Sequence, residues 1–169
     1  MASQTRTILC SHREVVFAPP SLAWKMLIEK IRRPDKYVPG VTSVEVVKEL
    51  GGNSIERKMT AGGKVIHEII GADATAMTVI FRMHQSHPIL SGFVTNTVLP
   101  HEGELGGGAT EGEKEPESCV IDYTMCWEAK PGAPEDAVKQ MQEMLPKSCV
   151  NAVTHAKELM EKAAKGEPE

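Results

Sequence analysis

The feature that most limits what this chain can become is an apolar stripe near its C-terminus. Val138, Met141, Leu145, Cys149, Ala152, Ala156, Leu159 and Ala163 follow at steps of 3, 4, 4, 3, 4, 3 and 4, or 25 residues over seven steps. That is the α-helical period to within rounding. A helix this long needs a broad apolar surface to lie on, because most of its stability comes from burying the stripe. The chain before it reads as strands, so the surface has to be a curved sheet. A curved sheet closed by one long helix encloses an elongated apolar space, and a small-molecule function is expected there. Pro134, with Glu135 and Asp136 behind it, predicts the helix start. Pro146 removes the hydrogen bond to the Gln142 carbonyl and predicts a kink.

The upstream pattern is that of an antiparallel meander. Thr5 to Ala18 alternates and is rich in β-branched residues, which predicts a first strand. Pro19-Pro20-Ser21 then opens a short helix, with Ser21 expected as its N-cap, and Arg32-Arg33-Pro34 closes it. Strands are predicted over Ser43–Leu50, Ser54–Thr60, Lys64–Ile70, Met77–Gln85, Phe93–Leu99 and Cys119–Glu128, punctuated by Gly51-Gly52-Asn53, Gly62-Gly63 and Gly71-Ala72-Asp73. No connection is long enough for a parallel crossover. Residues 102–117, EGELGGGATEGEKEPE, are glycine-rich and acidic and are expected to form a mobile hairpin tip within one domain spanning residues 1–169.

Composition narrows the function classes. A net charge of −4 without a basic run argues against nucleic acid as partner. No segment has the length or apolarity of a membrane span, so no integral membrane association is expected. The N-terminal stretch lacks the apolar core of a signal peptide. Cys10, Cys119, Cys126 and Cys149 show neither CxxC nor regular spacing, and reduced thiols in a cytoplasmic protein are expected. No cofactor motif is present. The three glycines at 106–108 lack the Lys-Ser/Thr of a phosphate loop.

The order strand, short helical segment, long antiparallel meander and kinked C-terminal helix resembles the START-like (SRPBCC, helix-grip) superfamily, which includes the birch pollen allergens and aromatic polyketide cyclases. Within it, LAWKMLIEKIRRPDKYVPGVTSVEVV around Trp24, the strand pair SIERKM and VIHEII, and IDYTMCWEAKPG around Trp127 resemble the AtaL-like branch. The resemblance implies an α+β helix-grip fold, an antiparallel sheet of six to seven strands wrapped round the C-terminal helix. It also implies a cavity with a small-molecule ligand, and it carries over no chemistry.

Strand alternation says which side chains face that cavity. With Glu56, Lys58 and Thr60 outward, Ile55, Arg57 and Met59 point inward; on the next strand Ile66, Glu68 and Ile70 point inward and His67 outward. An isolated buried charge is very costly, so an inward Arg57 needs a carboxylate, and Glu68 is within reach across the hairpin. The pair is expected either at the polar end of the pocket or as an ion pair that closes the barrel. Ile121, Tyr123, Met125 and Trp127 share the inward face of the last strand. The expected ligand-binding set is Trp24, Arg57, Met59, Glu68, Phe81, Tyr123, Met125 and Val153, with Ile55, Ile66, Val79 and Ala156 completing the wall. No catalytic residue is assigned. His84, His87 and His101 are expected around one end of the sheet, but no carboxylate or cysteine stands at ligand spacing with them, and no metal is expected. The sequence thus supports a binder of a small hydrophobic or amphipathic molecule. The alternatives are a polyketide-cyclase-like enzyme acting on a secondary-metabolite intermediate and a protein-interaction module.

Overall fold

The computed structural model describes residues 7–101 and 117–167. Seven strands form a single antiparallel sheet: β1 (Thr7–Val16), β2 (Val41–Gly51), β3 (Ser54–Ala61), β4 (Lys64–Asp73), β5 (Thr78–Met83), β6 (Leu90–Pro100) and β7 (Cys119–Ala129). Their order across the sheet is β1-β7-β6-β5-β4-β3-β2. Every strand from β2 to β6 pairs with its successor, as short connections require, and β7 pairs on its other side with β1. Three helices complete the fold: α1 (Pro20–Arg32), α2 (Pro34–Tyr37) and α3 (Glu135–Ala164). This is the helix-grip arrangement the stripe predicts. The acidic glycine-rich segment at 102–117 lies outside the described residues apart from Glu117.

The termini of α1 differ from expectation by a residue or two. Pro19 occupies the N-cap and Pro20 the first helical position, so Ser21 lies inside the first turn rather than at the cap. Proline suits this place because its fixed φ is helical and its missing N–H would have had no partner. Pro134 is likewise the N-cap of α3, one residue before the predicted start. Pro146 lies within an unbroken α3, and both Pro146 and Gln142, whose carbonyl loses its helical donor, are exposed residues.

The buried face of α3 holds Val138, Cys149 and Ala156 of the stripe together with Val153 and Met160 beside it, while Met141, Leu145, Ala152, Leu159 and Ala163 are partly buried. Cys149, Val153, Ala156 and Met160 join Val16, Leu27, Ile31, Ile55, Ile70, Val79, Phe81, Ile121 and Tyr123 in one core. The strand phases agree with the alternation: Ile55, Arg57 and Met59 are buried on β3, as are Glu68 and Ile70 on β4. Gly92 on β6 has φ +126°, and a Cβ there would stand 2.1 Å from the Cys126 carbonyl oxygen and 2.9 Å from the Trp127 Cα. Gly92→Ala should therefore cost more than about 1 kcal/mol and lower the thermal midpoint, since neither backbone can yield.

Candidate ligand site

Arg57 and Glu68 face one another directly in the β3–β4 register. Arg57 is 2% exposed, and its Nη2 donates to Glu68 Oε2 at 2.5 Å. Its other terminal nitrogen, Nη1, donates to the backbone carbonyls of Lys30 at 3.0 Å and Ile31 at 2.7 Å. Those carbonyls belong to the last turn of α1, where a helix has no acceptor partners of its own and where its dipole favours a cation. Arg57 is thus a brace between sheet and helix as well as half of an ion pair.

The brace fixes the turn that carries Lys30. The Lys30 residue keeps some exposure, but its ammonium points inward. Nζ donates to Asn96 Oδ1 at 2.8 Å and lies over the rings of Tyr123 at 4.7 Å and Phe81 at 5.2 Å. Burial is the main force pulling its pKa down to about 8; nearby Glu68 raises it and Arg57 lowers it further. Asn96 sits opposite Tyr123 in the β6–β7 register, and both are buried. Burial raises the Tyr123 phenol well above its ordinary range, so it stays a neutral donor.

Four buried polar atoms have no hydrogen-bond partner among the described residues: Arg57 Nε, Asn96 Nδ2, Tyr123 Oη and Trp127 Nε1. Each can donate, and a buried donor left without an acceptor costs about 1–3 kcal/mol. Such a group is rare in a folded interior.

Of the residues expected to bind ligand, Arg57, Glu68, Phe81 and Tyr123 come together around Lys30. Trp24 and Met125 are partly buried and pack against the core, Val153 is fully buried within it, and Met59 lies buried opposite Ile66 further along β3. A recess of about 320 Å³ opens between α1, α2 and α3, lined by Met26, Lys36, Tyr37 and Leu159. None of these four was among the residues expected to line a cavity. Met26 and Leu159 also touch the core, so the recess abuts the interior from the helical side. Lys30 and Asn96 were missed. Both carry a signal: Lys30 continues the Ala23, Leu27 face of α1, and Asn96 has the same strand phase as Leu90 and Val98.

The histidines do not gather as expected. His84 and His87 lie in the connection between β5 and β6, whereas His101 follows the far end of β6 and bonds Ser118 Oγ through Nδ1 at 2.9 Å. β6 separates them along its whole length. The His87 Nδ1 accepts from the Leu90 amide at 3.0 Å and shapes the turn instead. The four cysteines are free; burial raises the Cys149 thiol to about 11, and raises Cys10 as well, so neither is a ready nucleophile.

Residues 20–166 match the family model described as AtaL, acetylaranotin biosynthesis cluster protein L. The chain belongs to the AtaL family. No curated protein matches this AtaL-family chain in sequence. Among solved structures it is similar to the Zhui aromatase/cyclase from Streptomyces sp. R1128, with a TM-score of 0.72 and 15% identity over 96% of this chain and 100% of the other. It is also similar to truncated norcoclaurine synthase from Thalictrum flavum, with a TM-score of 0.66 and 17% identity over 96% of each chain. A START superfamily protein from Mycobacterium smegmatis aligns with a TM-score of 0.63 and 12% identity, over 94% and 97%. At these identities the likeness carries the fold. No helix among the described residues is long and apolar enough to cross a membrane.

Proposed function

We propose that this AtaL-family domain binds a small, largely apolar molecule that presents acceptor oxygens to the interior, between the sheet and the helices. The observation that carries the proposal is the set of buried donors without acceptors at Arg57, Asn96 and Tyr123, with the Lys30 ammonium against Asn96 and the Tyr123 ring. A ligand with carbonyl, carboxylate or phenolate oxygens would satisfy these donors, while the apolar residues around them take its hydrocarbon part. Binding of an anionic aromatic probe, 8-anilinonaphthalene-1-sulfonate, tests this. Lys30→Met and Asn96→Leu should each weaken it by ~10-fold or more, the worth of a hydrogen bond to a charged group. Equal affinity in both variants and the parent would count against the site.

A second reading follows from one feature, the pKa of about 8 at Lys30. A group that titrates near neutrality beside a neutral phenol is suited to moving a proton on a carbonyl-rich substrate, as a cyclase-like reaction requires. The fold shared with an aromatase/cyclase is consistent with that chemistry. Incubation with an aromatic-polyketide precursor mimic separates the two readings: turnover that falls away as Lys30 changes protonation supports the enzyme, and binding without turnover supports the carrier.

A further inference from the structure

On the opposite face of the sheet, three side chains that are scattered in sequence meet. Glu56 on β3 and His67 on β4 point outward, and His84 follows the end of β5, its amide donating to the His67 carbonyl at 2.9 Å. The His67 Nε2 lies 2.8 Å from Glu56 Oε1, and the His67 and His84 rings stack at 3.8 Å between centroids. One donor atom from each of the three falls within 4.8 Å of the other two. We propose that Glu56, His67 and His84 form a binding site for one divalent transition-metal ion of the zinc class.

The chemistry of the set and its rigidity support this. Two imidazoles and a carboxylate are a donor set that zinc and its neighbours favour. Ligand atoms held at ~2.0–2.1 Å around a tetrahedral ion stand ~3.3 Å apart, so the spacing suits one ion, and one of the two stacked rings has to turn for both lone pairs to meet it. The turn that carries His84 is held in place: Lys130 Nζ donates to the Gln85 carbonyl at 2.5 Å and the His87 carbonyl at 2.7 Å. His84 Nδ1 accepts from the Ser86 amide at 3.2 Å and lies 2.8 Å from Ser86 Oγ, which fixes the position of the ring. The three side chains are each partly accessible, and a surface depression of about 400 Å³ lined by Lys58, Val65, His67, His84, Ser86, His87 and Pro88 adjoins them. The fourth coordination position is therefore open to water or a small anion, as in sites with three protein ligands. Lys58 opposes a cation here and Glu56 offsets it, so moderate affinity is expected.

Calorimetric titration of the full chain with zinc, after chelator treatment, tests the proposal. One equivalent should bind with micromolar affinity, and His67→Ala and His84→Ala should each weaken it by more than the ~10–100-fold typical of losing an outer-shell partner. Cobalt, read by its visible absorption, should give a four- or five-coordinate spectrum that His84→Ala abolishes. His101→Ala should change neither. Both ligand variants alter the outer face and should keep the parent's metal-free melting behaviour; if one fails to unfold cooperatively, Glu56→Gln carries the same test. Affinity weaker than millimolar, or undiminished zinc binding in the His67→Ala/His84→Ala double variant, overturns the site.

Discussion

Glu68→Leu and Arg57→Leu should each destabilise the domain by about 3–5 kcal/mol in denaturant unfolding, because each leaves the partner's charge buried without its directly bonded counter-charge. Arg57→Leu should be the more damaging, since it also strips the acceptor-bound donor from the Lys30 and Ile31 carbonyls at the end of α1. The double variant should cost far less than the two singles together, with a coupling term toward the upper end of the ~0.5–3 kcal/mol seen for residues in one network. It should not return to parental stability, because the α1 carbonyls still lack their donor. Simple additivity would mean that the two side chains do not share a buried charge balance.

Lys30 should make stability depend on pH in an unusual direction. Its folded pKa of about 8 lies below the ordinary 10.5, mainly because burial disfavours the ammonium. Between those values the unfolded chain holds the proton and the folded chain has lost it, so stability rises with pH across pH 8 to 10.5. Below pH 8 both states are protonated and the folded state bears the full cost of the buried charge. The shift corresponds to up to about 3 kcal/mol, an upper bound because the residue keeps some contact with solvent. The raised thiols of Cys10 and Cys149 act in the opposite direction, since the unfolded chain loses those protons first. Comparison with Lys30→Met removes them, as they are common to both proteins. The parent should gain stability relative to the variant as pH rises from 8 to 10.5, and Lys30→Met should be the more stable at pH 7. Parallel curves would place the ammonium in water.

Much of this arrangement is legible before any coordinates. The inward facing of Arg57, Glu68 and Tyr123 follows from alternation, because one slip of register would put every apolar neighbour in solvent. The pairing of Arg57 with Glu68 follows from the cost of an unpaired charge. Lys30 and Asn96 escape because single polar residues on apolar faces are normally discounted, and only the approach of α1 to β6 brings them together. Their phases were nonetheless available: Lys30 extends the buried face of α1 and Asn96 that of β6. Glu56, His67 and His84 escape for another reason. Their meeting depends on the β3–β4 register and on where β5 ends, while the sequence draws the eye to His84 and His87, which are close in the chain but have different tasks. The recess at Met26, Lys36, Tyr37 and Leu159 depends on how three helices are placed, which periodicity does not encode.

In the proposed function, the interior donors around Lys30 take their acceptor from a bound molecule. A crystal structure of the protein purified from its own host tests it most directly. Density is expected for a small molecule whose oxygen atoms stand within hydrogen-bond distance of Lys30 Nζ, Asn96 Nδ2 and Tyr123 Oη, with its apolar part against Phe81. An interior filled completely by side chains, with Asn96 Nδ2 and Tyr123 Oη bonded to other groups of the chain, would overturn it.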